Sequence, residues 1–203
     1  LLAPYAKLNY EKHLKEAEEW VDEDRREEFA KAKTVKDIYD AMQALEYEVN
    51  TLFSSNGQTP FTTVGFGLGT SWFEREIQKA ILKVRIKGLG KQHRTAIFPK
   101  LVFSIKRGLN LNVGDPNYDI KQLAVECATK RMYPDVLMYD KIVELTGNFK
   151  APMGCRSFLQ AWKDANGNEV NNGRMNLGVV TINLPRVALE ARGNREVFWE
   201  IME

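Results

Sequence analysis

Between residues 8 and 32 the chain reads LNYEKHLKEAEEWVDEDRREEFAKA, with Tyr10, Leu14, Ala17 and Val21 recurring three or four apart among charged neighbours. That spacing predicts one helix with a single apolar stripe and an otherwise solvated surface. Thr34, three residues before Asp37 in TVKD, reads as the N-cap of a second helix. Val35, Ile38, Met42, Leu45, Val49 and Leu52 then alternate at spacings of three and four. This heptad-like seam, about 20 residues long, must meet another helix, either within the chain or across a dimer.

The Asn-Gly pair in SSNGQ ends that helix in a turn. TPFTTVGFGLG (59–69) is β-rich and studded with glycine. Its glycines suit either close approach by a ligand or neighbouring element, or bulges and tight packing. Helical periodicity returns over 72–87 through Phe73, Ile77, Ala80, Ile81 and Val84. IFPKLVFSI (97–105) predicts a buried strand with Pro99 near its start, and Ile120, Leu123, Ala124, Cys127 and Ala128 predict a helix over 119–131. LGVVTINL (177–184) is apolar at nearly every position, as a strand covered on both faces is. Pro185 stops it and opens the next helix, PRVALEA. Strands alternating with long helices predict an α/β architecture with much parallel pairing. No internal repeat or linker interrupts it.

Composition narrows the classes. Hydrophobic residues make up 44% and charged residues 28% of the chain, the mix of a soluble globular protein. A formal charge of +2 gives no general attraction for polyanions, so no nucleic-acid partner is expected. No apolar run approaches the roughly 18 residues of a membrane span, and LLAPYAKLNYEKH is no signal peptide, so no membrane partner is expected. Two cysteines without paired spacing do not build a disulfide scaffold or a thiolate metal site, and the expected compartment is the cytoplasm. Opening on Leu1 and closing on REVFWEIME inside an amphipathic pattern, the chain reads as a fragment.

The two cysteines differ. Cys127 lies on the apolar face of a predicted helix and reads as a small packed hydrophobe. Cys155, in APMGCRSFL, follows Pro152, Met153 and Gly154 and precedes Arg156, where the chain turns and a thiol can project. Both reactivity and simple packing remain open for it on these grounds. Neither His13, in the charged helix, nor His93, in KQHR, stands out as its base, so a Cys-His hydrolase is poorly supported. No GxxxxGK[ST], HExxH or EF-hand pattern occurs, and GFGLGTS (65–71) is a weak match to a dinucleotide loop.

Five blocks carry a resemblance: QALEYEVNTLFSSNGQTPFTTVGFG (43–67), IFPKLVF (97–103), CATKRMYPD (127–135), MGCRSFL (153–159) and GRMNLGVVTINLPRVAL (173–189). In this order, over nearly the whole chain, they resemble the anaerobic, class III ribonucleoside-triphosphate reductases. The resemblance implies an oxidoreductase fragment: a single segment, 1–203, of the family's ten-stranded α/β barrel. Within it 1–56 would be a helical dimerisation and effector region, and 57–203 barrel strands and helices. It implies conversion of ribonucleoside triphosphates to deoxyribonucleoside triphosphates by glycyl and thiyl radical chemistry, with formate as reductant. It places the thiyl cysteine at Cys155 and a ribose-facing asparagine at Asn176, with Arg156, Ser157, Gly173 and Arg174 as candidate substrate-binding residues. The glycyl radical and a structural zinc would belong to segments outside this chain, and no metal ligand is expected within it. Implied partners are deoxynucleotide and ATP effectors, a radical-S-adenosylmethionine activating enzyme and a second copy in a homodimer. The isolated fragment is expected to be inactive. Competing expectations are a catalytically silent effector-binding and dimerisation module, and a glycyl-radical enzyme of the pyruvate formate-lyase type.

Overall fold

The computed structural model describes residues 1–52, 57, 61–149, 162–170 and 182–202. Two units emerge, Leu1–Phe158 and Leu159–Glu203. The first opens with two long helices, α1 (Ala3–Trp20) and α2 (Arg26–Thr51). Then follow β1 (Thr63–Phe66), α3 (Trp72–Lys87), β2 (Lys100–Ile105), α4 (Tyr118–Arg131), β3 (Asp135–Met138) and α5 (Tyr139–Thr146). The second unit contains a two-stranded hairpin of β4 (Trp162–Lys163) and β5 (Glu169–Val170), followed by α6 (Leu184–Ala191) and α7 (Arg195–Met202).

The strands β1, β2 and β3 lie side by side in that order, and both pairings are parallel. Val64 pairs with Leu101 and Phe66 with Phe103, so these side chains share one face of the sheet. That face is covered by the helices. One cluster joins Ala6 of α1, Ile38 of α2, Ile77, Ala80 and Ile81 of α3, and Leu101 of β2. A second joins Leu82 of α3, Phe103 of β2, and Ile120, Ala124 and Cys127 of α4. The expected α/β class with parallel pairing is therefore what forms, and α3 and α4 take the predicted positions within one residue.

The helical pair differs from its prediction. The chain breaks at Val21–Arg25 through a 3-10 turn, Glu23–Arg25, and there is no helix start at Thr34. Thr34 is buried in mid-α2, where its hydroxyl donates to the Ala30 carbonyl at 2.7 Å. With that donor satisfied inside the helix, a polar residue can face α1 without loss. The heptad-like seam also splits. Ile38 and Met42 face the first core cluster, whereas Val35, Leu45 and Leu52 are exposed. The buried row is Ala30, Thr34, Ile38 and Glu46, because small and internally satisfied residues permit close helix approach there. At the other end Leu184, expected to close a strand, is the first residue of α6, and Asn183 caps it by accepting from the Arg186 amide at 3.0 Å. Positions 177–181 lie outside the described residues. The short β3 and the β4–β5 hairpin are not anticipated by the periodicity.

Two polar links fix the helices to the sheet. Arg85 of α3 is fully buried; its Nε donates to Glu46 Oε1 of α2 at 2.6 Å, and its Nη2 to the Pro99 carbonyl at 2.6 Å. Four residues after Glu46, Asn50 uses its amide nitrogen on the Phe98 carbonyl and its oxygen on the Ile97 and Phe98 amides, both at 3.2 Å. Burial holds the Glu46 carboxyl above the usual glutamate range despite the attraction of Arg85 and Arg131. The folded chain thus retains that proton to higher pH than the unfolded chain. The contribution of Glu46 to stability is greatest at low pH and declines as pH rises between its ordinary and its raised value. Glu46→Gln is expected to remove that decline in unfolding free energy measured against pH. Glu46→Ala, which strands the Arg85 charge, is expected to cost about 3–5 kcal/mol in denaturant unfolding.

Candidate functional site

In open parallel sheets ligands bind beyond the carboxyl ends of the strands. Here that edge carries the turn Gly67–Leu68–Gly69 after β1, the loop 106–117 after β2 and the start of α5 after β3. The turn is held from below by carboxamides. Asn110, fully buried, donates from Nδ2 to the carbonyls of Gly67 at 3.0 Å and Ser104 at 2.9 Å, and accepts from the Lys106 amide at 2.8 Å. Asn117, also fully buried, donates to the Gly69 carbonyl at 2.7 Å and accepts from Arg75 Nη1 at 2.6 Å. Gln78 of α3 donates to the same Gly69 carbonyl at 2.8 Å. Neutral amides both donate and accept, so they satisfy buried backbone without introducing charge.

Tight packing explains two of the glycines. A Cβ on Gly67 would stand 2.5 Å from the Ser104 carbonyl oxygen, and φ there is +117°. On Gly69 it would stand 2.6 Å from Glu74 Cβ. Gly65 differs, since a Cβ there would meet nothing within 4 Å.

The N-terminus of α3 is already occupied by its own residues. Ser71 accepts from the Glu74 amide at 3.4 Å, while Glu74 Oε2 accepts from the Ser71 hydroxyl at 2.6 Å and its amide at 3.0 Å. The Ser71 hydroxyl and then its amide hold the Glu74 carboxyl below the usual range. A cavity of about 480 Å³ runs beside β1, with Val64, Phe66, Ile77 and Ile81 as apolar walls and Glu74 and Gln78 as polar ones. Gln78 is 4% exposed, and its Oε1 has no hydrogen-bond partner.

Of the two cysteines, Cys127 is described. It is fully buried in the second cluster, packed as expected, and burial pushes its thiol up to about 11, which disfavours the thiolate. Cys155, Arg156, Ser157, Gly173, Arg174 and Asn176 lie outside the described residues. Between the two blocks that hold them stands the β4–β5 hairpin, antiparallel, with Trp162 opposite Val170. Its turn is built on Asp164, whose Oδ1 accepts from the amides of Asn166 and Asn168, both at 2.9 Å. Among the described residues no group of three or more His, Cys, Asp or Glu is placed to hold a metal ion. His13 is not a loose surface residue; it is buried between α1 and α2, with Nε2 2.6 Å from Asp37 Oδ2 and Nδ1 3.1 Å from Glu16 Oε2. Nothing in the hydropathy pattern marks Asn110, Asn117 or Gln78, because a polar residue in a loop or helix reads as solvated unless its partners are known.

The family model for anaerobic ribonucleoside-triphosphate reductase matches residues 1–203. The chain belongs to that family. It is 60% identical over 203 residues to the anaerobic ribonucleoside-triphosphate reductase of Escherichia coli and 64% identical to that of Haemophilus influenzae, covering all of this chain and 28% of each relative. The reductase of that name from Enterobacteria phage T4 is 61% identical over 193 residues, 94% of this chain and 32% of the relative. The chain thus spans less than a third of the length of the curated reductases it matches.

Within this reductase segment, Asn110→Ala leaves the Ser104 carbonyl and the Lys106 amide without their present partner and the Gly67 carbonyl with only the 3.4 Å bond from Asn117. We expect a loss of about 3 kcal/mol in denaturant unfolding, and Gly67→Ala to be similarly damaging through its clash with Ser104. In the native protein at pH 8, iodoacetamide is expected to leave Cys127 unmodified, as peptide mass spectrometry will reveal.

Proposed function

We propose that the protein to which this segment belongs reduces ribonucleoside triphosphates to deoxyribonucleoside triphosphates, with Cys155 and Asn176 at the reacting sugar. The observation that carries the reading is the 60–64% identity to reductases of that name over the entire chain. Cys155, as thiyl, takes the hydrogen from C3′ of the ribose. The 2′-hydroxyl then leaves as water, formate supplies two electrons and becomes carbon dioxide, and Cys155 returns its hydrogen to C3′. In balance, one ribonucleotide, one formate and one proton give one deoxyribonucleotide, one carbon dioxide and one water. A glycyl radical held by another segment, generated by a radical-S-adenosylmethionine activating enzyme, supplies the unpaired electron. A structural zinc belongs to another segment as well.

Cys155 needs no lowered pKa for this role, because hydrogen-atom transfer uses the neutral thiol. The Asn176 carboxamide can donate to and accept from ribose hydroxyls, holding the sugar in register. Arg156 and Arg174 carry guanidinium groups suited to the triphosphate, and Ser157 and Gly173 line the same two blocks. The parallel sheet under helices supports the ten-stranded barrel of which 57–203 would be a part. The exposed Val35, Leu45 and Leu52 of α2 support 1–56 as the homodimer and deoxynucleotide- or ATP-effector region.

In the full-length protein, activated and supplied with formate, Cys155→Ala is expected to abolish deoxynucleotide formation while nucleotide binding survives. Asn176→Ala is expected to lower kcat roughly a hundredfold. Retained turnover in Cys155→Ala would overturn the assignment and leave the silent effector module as the better reading.

A further inference from the structure

The sheet face turned away from the helices has an unusual composition. Strand alternation places Thr63 and Gly65 of β1, Lys100, Val102 and Ser104 of β2, and Asp135 and Leu137 of β3 on it. Val102 and Ser104 are each only 4% exposed, yet Gly65, paired in register with Val102, is exposed and has open space where a Cβ would stand. Its φ is not in the left-handed region, so the backbone does not require glycine. Glycine inside a strand weakens it, and where neither conformation nor packing calls for one, the residue marks close approach by something else. The turn glycines are explained by Ser104 and Glu74; Gly65 is not.

The second observation is a cation. Lys100 shares this face, one alternation away from Val102, and so lies about 7 Å along the strand from the Gly65 level. It is partly buried, and its ammonium has no hydrogen-bond or ion-pair partner among the described residues. Among the described residues, a gap that no side chain fills, next to a cation with no partner, is complementary to a sugar or base that carries phosphate.

We propose that Gly65 and Lys100 are substrate-positioning residues, Gly65 admitting the nucleoside of a ribonucleoside triphosphate against the β1 backbone and Lys100 pairing with its phosphate. This rests on the reductase reading above.

The test uses the full-length, activated protein with Gly65→Val, Lys100→Gln and Lys100→Arg, reading KM, kcat and thermal midpoint for each. Valine is favoured in strands and meets no neighbour at position 65, so Gly65→Val is expected to melt no lower than the parent. Its KM for the ribonucleotide is expected to rise at least about tenfold. Lys100→Gln is expected to raise KM by a similar factor with kcat nearly unchanged, and Lys100→Arg to restore it. KM values within about twofold of the parent for both Gly65→Val and Lys100→Gln would overturn the inference, as would a KM rise matched by a loss of thermal stability. A parent protein that forms no deoxynucleotide would instead overturn the reductase reading, and the positioning roles with it.

Discussion

A guanidinium with no access to water constrains this segment more than any single apolar contact. Arg85 is fully buried, and an unpaired charge in that position costs several kcal/mol. It is tolerated because α2 supplies Glu46 Oε1 as an acceptor and the approach to β2 supplies the Pro99 carbonyl. The remaining nitrogen, Nη1, has no hydrogen-bond acceptor, but the guanidinium carbon lies 5.6 Å from the centre of the Tyr133 ring, just before β3. Four separate parts of the chain must therefore be in place before the charge is settled. One turn after Glu46, Asn50 ties α2 directly to the 97–98 backbone. The entering ends of the strands and the end of α2 consequently form one body.

The leaving ends are held by different chemistry. No buried charge stands beneath the Gly67–Gly69 turn; Asn110, Asn117 and Gln78 hold it with neutral amides. The Arg75 guanidinium that braces Asn117 is itself matched by Asp119, at 2.8 Å and 3.0 Å. A turn so fixed keeps its shape without adding net charge at the leaving ends of the strands. Charge secures the foot of the sheet, and amide geometry its crown.

How much of this could be read from the sequence followed from what periodicity measures. The α3 and α4 stripes were legible because each turns one apolar face to the sheet, and β2 because its apolar run is long. The break at Val21–Arg25 was not, since Trp20, Val21 and Phe29 continue an apolar rhythm across it. The buried row of α2 was hidden because Thr34 and Glu46 are polar and become compatible with burial only through Ala30 and Arg85. Hydropathy sees the side chain and not its partner. The same blindness concealed the carboxamides beneath the glycine turn. The role proposed for Cys155 was legible only through resemblance, since no acid, base or metal pattern accompanies it in the sequence. A radical relay through a neutral thiol would need no such companions.

The two faces of the sheet complete the argument. Parallel strands buried on both sides by helices read as continuous aliphatic runs. The helix-covered face obeys this, with Val64, Phe66, Leu101, Phe103 and Ile105. The opposite face does not: Thr63, Gly65, Lys100, Ser104 and Asp135 alternate with only Val102 and Leu137. Small and polar side chains instead suit the wall of an enclosure with polar contents.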